Sequence, residues 1–435
     1  MTGTRGPTMP RHTPTPFIAA IYLLTLPLIV NADEICEFSG ADIYVDEDAS
    51  FILCGDGLPE ELNISTADPS VASVVYVQPV GRCDVSDRRA GYHVVLNSQQ
   101  SGETVLQVTD AASGNSVCSS NLVAQESRKL EEPEWLDAMP LSDAKYIDVN
   151  GIQTRYFDRG SGPALILVHG GQAGGANNSA QKWEQNFVEL ARTFRVIALD
   201  RLAQAGTDNI AESDDYANYF ALDAQHLVDF IVALELEDVS LAGHSQGGWP
   251  VTWATLHHPD LIKCTVNIDT VMVPDDLELM KKALQFIIFT AVYIDPPTGP
   301  TVHSARRAML MRYPSGKNVT HEKLQRVVDQ HKSPKTAEAR QHMSALRMTP
   351  QNPAFKVLRD QAYADIAARK FQARSLVIWG AEDPQVPVGL GQQFNQILLD
   401  GSVETEFVAM EGAGHAPFVE FPEEFNKLVI DYCID

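Results

Sequence analysis

Positive charge is scarce in this chain: 33 Lys and Arg stand against 57 Asp and Glu among 435 residues, a formal net charge of −24. Proteins that hold nucleic acid or anionic membrane surfaces need a basic footprint to neutralise phosphates, so nucleic acid is excluded as a partner. Ligand spacing for a metal is missing as well. The six cysteines form no C-x-x-C pair, no two histidines stand four apart, and no phosphate-cradling glycine loop occurs. No cofactor and no metal are expected. Long apolar runs are absent too. The longest, Phe17 to Val30, is interrupted by Pro27 and falls short of the roughly 18 residues a spanning helix wants.

That same run carries a different meaning in context. Arg5 and Arg11 precede it, and Val30-Asn31-Ala32 followed by Asp33-Glu34 closes it. Basic, apolar and small-residue regions in that order read as a cleavable secretory signal over residues 1–32. The mature protein is therefore expected to be secreted, extracellular or periplasmic, with no membrane insertion after cleavage. Export permits disulfides. Cys36, Cys54, Cys83 and Cys118 cluster near the mature N-terminus, and the expectation is Cys36 with Cys54 and Cys83 with Cys118. Cys264 and Cys433 are expected to be buried free thiols.

Residues 33–127 have an all-β texture. Short alternating runs such as Val71 to Val77, Tyr92 to Leu96 and Thr104 to Val108 are separated by turn clusters, among them Ala112-Ser113-Gly114-Asn115. Strands at this spacing predict a small β-sandwich. The stretches Ser65 to Val74 and Ser101 to Asp110 resemble bacterial immunoglobulin-like repeats over some ninety residues. Such a module would act as a spacer or make surface or polymer contact. Residues 128–142, with Glu131-Glu132-Pro133-Glu134 just inside, read as a linker.

From residue 143 to 435 strands alternate with helices. Asn150-Gly151 supplies the positive φ angles of a type I′ hairpin turn. Ala164 to Val168 is a short apolar run of the kind found in inner parallel strands. The alternation predicts a doubly wound, mostly parallel α/β sheet. It lapses between about 270 and 372, where helical patterns without strands predict a cap, and resumes at Ser375.

Chemistry concentrates at strand ends. Val239 to Ala242 leads into Gly243-His244-Ser245-Gln246-Gly247, a G-x-S-x-G turn between a strand and a helix. In that setting the serine is held out of the sheet as a nucleophile. Asp383 follows the strand ending at Gly380, and His415 lies in Gly412-Ala413-Gly414-His415 after the last strand. The order Ser245, Asp383, His415 supports a catalytic triad in which His415 takes the serine proton and Asp383 fixes its tautomer. Glu382 and Asp269 compete with Asp383 for the acid. Backbone N–H groups of Gly171 and Gln246 are the expected oxyanion donors. Gly170, Trp249 and the lid aromatics Phe286, Phe289 and Tyr293 are the expected substrate contacts. His169 is expected to brace the oxyanion loop and His244 to fill the turn, while His257 and His258 read as surface residues at a helix end.

Residues 143–435 resemble the α/β-hydrolase superfamily, and within it the branch of single-domain esterases and meta-cleavage-product hydrolases. The resemblance rests on H-G-G-Q-A-G-G, G-H-S-Q-G, W-G-A-E-D-P-Q-V-P and the tail Glu423 to Tyr432. It implies hydrolysis of a small-molecule ester or similar acyl substrate, with carbon–carbon hydrolysis, aminopeptidase or acyltransferase activity as alternatives on the same triad. An inert surface-binding protein is the alternative of another class. Against the carbon–carbon branch this chain has His244 where Asn precedes the nucleophile, Ala416 where Trp follows the histidine, and Arg326 displaced by one from the branch's cap arginine.

Overall fold

The computed structural model describes residues 29–31, 43–44, 48–54, 58–59, 61–80, 91–125, 138–211, 213–281, 283–284, 286, 299–344 and 353–434. Most of the expected signal, Cys36, Cys83, most of the expected linker, Phe289 and Tyr293 lie outside these residues.

Eight strands precede the larger unit: β1 (Ile29–Asn31), β2 (Ile43–Tyr44), β3 (Asp48–Cys54), β4 (Leu62–Thr66), β5 (Ser73–Val80), β6 (Gly91–Asn97), β7 (Gly102–Asp110) and β8 (Ser116–Gln125). They form two four-stranded sheets, in the orders β1-β3-β6-β5 and β2-β8-β7-β4. Alternation decides which side is dry. In β7, Leu106 and Val108 point inward and Glu103 and Gln107 outward. Leu53, Val94 and Leu96 from one sheet meet Leu106, Val108 and Leu122 from the other in a shared core. Cys118 is disulfide-bonded.

The larger unit is built on an eight-stranded sheet. Its strands are β9 (Lys145–Val149), β10 (Ile152–Arg159), β11 (Ala164–Val168), β12 (Arg195–Leu199), β13 (Val239–His244), β14 (Ile262–Ile268), β15 (Arg374–Gly380) and β16 (Thr405–Met410). The order is β16-β15-β14-β13-β11-β12-β10-β9. The first two form an antiparallel hairpin through Asn150 (φ 54°) and Gly151 (φ 86°). The remaining six run parallel. Every residue of β11 and β13 is buried, as helices on both faces require.

Those helices are α1 (Glu184–Leu190), α2 (Tyr219–Ala233), α3 (Gly248–His257), α4 (Val302–Arg312), α5 (His321–Lys332), α6 (Pro334–Ser344), α7 (Pro353–Ala367), α8 (Val388–Asp400), α9 (Pro417–Glu420) and α10 (Pro422–Cys433). Residues of α2, α3, α7 and α8 share one core with Ile166, Leu241 and Trp379. On the other face, α1, α9 and α10 pack against Leu165, Ala242 and Ile378. None of the described helices is long and apolar enough to cross a membrane.

Two expectations need correction. The predicted cap range included α7, yet Phe355, Ala362 and Ile366 of that helix sit in the sheet core with Phe394 and Leu398. A crossover between the parallel strands β14 and β15 must return along a sheet face, and α7 makes that return. Helices α4, α5 and α6 belong to the cap. Second, Cys264 and Cys433 are not free. They form a disulfide with a Cα–Cα distance of 5.8 Å across a sequence separation of 169 residues. Amphipathic packing of α10 over β14 brings together two cysteines that linear spacing leaves far apart.

A crosslink closing so long a loop restricts the unfolded chain strongly, and removing one typically costs about 2–5 kcal/mol. Cys433→Ser is expected to lower the unfolding free energy of the larger unit by that amount. Chemical denaturation of both proteins measures it, and coincident curves would show that the tether adds no stability.

Candidate active site

The nucleophile's position follows from backbone crowding. Strand β13 ends at His244, and Ser245 takes φ 52° before a 3-10 turn leads into α3. A Cβ on Gly243 would lie 2.6 Å from the carbonyl oxygen of Gly247, and one on Gly247 would lie 2.5 Å from that of Val168. Both positions require glycine because two backbones pass there with no room between them. Confined in this way, the serine side chain has one direction left, up from the sheet's C-terminal edge.

There the structure brings together Ser245, His415 and Asp383. His415 Nε2 lies 3.1 Å from Ser245 Oγ, and His415 Nδ1 lies 2.7 Å from Asp383 Oδ2. With Nδ1–H donating to the carboxylate, Nε2 presents its lone pair to the serine hydroxyl. Asp383 Oδ1 accepts from the backbone N–H of Gln385 (2.7 Å) and Val386 (3.0 Å), so the turn after β15 aims the carboxylate. Glu382, by contrast, is exposed. The His415 loop is anchored by Glu420, which accepts from Gly414 N–H at 2.6 Å and from the Ser315 hydroxyl at 2.6 Å. His415 N–H donates to Arg312 O at 2.9 Å.

Asp269, the rival acid, sits at the end of β14 with φ 42° and no exposed surface. One oxygen accepts Gly380 N–H at 2.8 Å and the other has no hydrogen-bond partner. Burial, and next the charge of Asp383, hold its carboxyl well above the ordinary carboxylate range. Asp383 makes the hydrogen bond to His415, and Asp269 lies behind it in a site that favours its protonated form.

Two further histidines are also kept uncharged. Burial, with Arg201 next, holds His169 well below its ordinary value. Its Nδ1 donates to Gly170 O at 2.8 Å and its Nε2 accepts Arg201 N–H at 3.2 Å, a brace across the oxyanion loop. His244 Nε2 donates to His415 O at 2.7 Å, and burial followed by the charge of Lys182 holds this ring well below its ordinary value. His244 therefore does more than fill the turn: it ties the nucleophile's strand to the catalytic histidine's loop. His244, Asp269 and His415 approach within 4.8 Å of one another. Both nitrogens of His415 serve the triad, which leaves His244 Nδ1 and one oxygen of Asp269 as the atoms of this set without a partner, two ligands where a bound metal wants at least three.

The oxyanion loop lies against the nucleophile, since a Cβ on Gly170 would come 2.8 Å from Ser245 Cβ. Gly171, the next residue of this loop, has φ +83°, and Gln246 directly follows the serine; these two remain the expected oxyanion donors. Arg201 holds the loop from behind. Its guanidinium donates to Gly171 O at 2.7 Å and to His169 O at 3.2 Å, and it pairs with buried Asp223. Sequence reading missed Arg201, Asp223 and Glu420, because no spacing links an arginine after β12 to an acid in α2. One signal was available: an arginine directly after an apolar strand is buried there only with an acidic partner.

Trp249 is a correction. It was expected to contact substrate, but it is 1% exposed and points into the core. Its indole donates to Phe220 O at 2.8 Å and meets Phe355 edge-on. The fourth residue after the nucleophile faces the helices beneath the sheet, and a buried indole N–H needs the partner it finds there. His257 stacks on Trp253 at the exposed end of α3.

Residues 165–428 match the alpha/beta hydrolase family. A 2-hydroxy-6-oxo-6-(2'-aminophenyl)hexa-2,4-dienoic acid hydrolase of Metapseudomonas resinovorans is 35% identical over 124 residues, 28% of this chain and 40% of that protein. A 2-hydroxymuconate semialdehyde hydrolase of Pseudomonas sp. (strain CF600) is 25% identical over 66% of this chain and 92% of its own length. Among solved structures, a meta-cleavage product hydrolase from Pseudomonas fluorescens IP01 superposes with a TM-score of 0.53 at 22% identity, covering 67% of this chain and 98% of that one. A 2-hydroxy-6-oxo-6-phenylhexa-2,4-dienoate hydrolase from Rhodococcus sp. strain RHA1 gives a TM-score of 0.54 at 15% identity, covering 66% and 97%. At these identities the structural likeness concerns the fold.

Two expectations follow. The folded pKa of Asp269 is raised above its ordinary 3.8, so the native state binds more protons than the unfolded state. The contribution of Asp269 to stability is then full below about 4 and is lost as pH rises through its raised folded value. Asp269→Asn, which keeps the acceptor for Gly380, removes this slope. The two stabilities should converge near pH 4 and separate in favour of the variant toward neutrality. Parallel denaturation series measure this, and parallel profiles would mean that Asp269 is not neutralised by its site. Arg201→Ala leaves Asp223 buried and unpaired, and should cost about 3–5 kcal/mol of stability in the same assay.

Proposed function

The chain belongs to the alpha/beta hydrolase family, and on that premise we propose that it is a serine hydrolase cleaving a carboxylic ester through an acyl-enzyme on Ser245. The observation that carries this reading is the unbroken hydrogen-bond chain from Ser245 Oγ through His415 to Asp383. His415 Nε2 takes the hydroxyl proton as Oγ attacks the carbonyl carbon. The tetrahedral oxyanion forms beside Gly171 and Gln246, where each lost donor costs about 3–4 kcal/mol of transition-state stabilisation. The protonated His415, held by Asp383, then delivers its proton to the leaving alkoxide. Water deprotonated by the same nitrogen cleaves the acyl-enzyme and frees the acid.

A second reading replaces the ester C–O bond by a C–C bond. The activities named for the relatives from Metapseudomonas and Pseudomonas favour it. Export from the cytoplasm is supported by the basic-apolar-small N-terminus and by the Cys264–Cys433 disulfide, which suits an oxidising compartment. The N-terminal β unit that remains after removal of residues 1–32, which include β1, would then serve as an immunoglobulin-like spacer or surface-contacting module.

On p-nitrophenyl butyrate, Ser245→Ala is expected to lower kcat on the order of ten-thousandfold, and a fluorophosphonate probe should label wild type alone. Equal turnover by both proteins would remove Ser245 from the mechanism. Turnover of a vinylogous 1,5-diketone, with none of any ester, would move the assignment to carbon–carbon cleavage.

A further inference from the structure

A cavity of about 340 Å³ lies between the core around the 3-10 turn Ala180–Trp183 and the cap helices α4 and α5. None of Ser245, Asp383 and His415 lines it. That volume is in the range of small-molecule pockets, which run from about 300 Å³ upward. Its charged wall is unbalanced. Glu184, whose side chain is fully buried, pairs with Arg326 at 2.7 Å and Lys323 at 3.2 Å; Asp329 on the same wall balances the second of these cations, and Arg155, also lining, is paired with Asp200. Lys182 also lines the cavity, and no described residue gives its ammonium a hydrogen bond or an ion pair. Burial, with Arg312 and Lys323 next, pushes this lysine down to about 7. Lys182 is half-buried on this wall, and an ammonium that has given up part of its hydration without gaining a counter-ion is disfavoured, so an anion in the cavity would offset that loss. Met309 and Val327 make part of the opposite wall apolar.

We propose that this cavity is a second, non-catalytic binding site for a monocarboxylic acid, with its carboxylate on Lys182 Nζ and its apolar body against Met309 and Val327. One unbalanced positive charge suits a monoanion better than a phosphate dianion, and the apolar wall suits an organic acid better than an inorganic ion. Acids of this class are also what the reaction proposed for Ser245 releases. That link rests on the proposed function, whereas the site itself does not.

The test uses the full-length protein and two probes, hexanoate and benzoate, with titration calorimetry. Saturable binding is expected in Ser245→Ala and in wild type whose Ser245 carries a fluorophosphonate adduct. The further changes Lys182→Met and Lys182→Gln should each weaken it by about tenfold or more. Circular dichroism checks that both variants fold. If neither folds, reductive methylation of wild type decides: Lys182 should be protected by hexanoate and not by hexylammonium. Absence of saturable binding, unchanged affinity in the Lys182 variants, or absence of protection overturns the proposal. Binding lost on labelling Ser245 overturns it too, because the acid would then occupy the catalytic pocket. Failure of Ser245 to react with the probe counts against the proposed reaction alone, and the Lys182 comparison still decides the site. An acid matching the acyl group of the best ester that binds more tightly than other acids identifies a product site. Equal binding identifies a general acid site.

Discussion

Ser245 is held at φ 52°, a conformation that costs an L-residue about 1–2 kcal/mol, and what forces it there also sets the rest of the site. Gly243 and Gly247 let the turn close against β11, so the strand carrying the nucleophile and the strand leading to His169 run in contact through their backbones. The oxyanion loop grows from the end of β11 and the nucleophile from the end of β13. Their separation is therefore fixed by the spacing of neighbouring strands. Side-chain packing has little part in it.

Charge in the pocket is governed by the same burial. His169, His244 and Asp269 surround the triad, and burial drives each toward its neutral form. Asp383 has two backbone N–H donors as well as His415. Asp269 has one donor and an unpaired oxygen. Burial first, and the neighbouring Asp383 next, raise the Asp269 carboxyl, and its single donor from Gly380 opposes this only in part.

The cap reaches into the catalytic machinery as well as lying over it. Arg312 and Ser315, at and beyond the end of α4, hold the His415 loop through backbone and carboxylate contacts. Gln330 of α5 donates to Gly175 O and Asn178 O, both at 3.0 Å, on the oxyanion loop. A movement of α4 or α5 would therefore shift the base or the oxyanion donors, so cap position and catalytic geometry are coupled.

The elbow, the order of nucleophile, acid and base, the glycine-rich loop after β11 and the alternation of strands with helices were legible in the chain. Each is a local matter: a turn that only glycine can make, an apolar run of strand length, a polar residue just past it. Chain order favours Asp383 over Asp269 as the acid, and the tertiary structure supplies the contact itself, with His415 Nδ1 on Asp383 Oδ2. Tertiary structure alone decided that Trp249 turns into the core, that α7 belongs to the sheet and not to the cap, and that Cys264 meets Cys433. The partners of Arg201 and Glu420 lie 22 and 105 residues away, beyond the reach of any local pattern. Periodicity and turn chemistry act over a few residues, whereas ion pairs, disulfides and the direction of a buried ring depend on which surfaces the fold brings together.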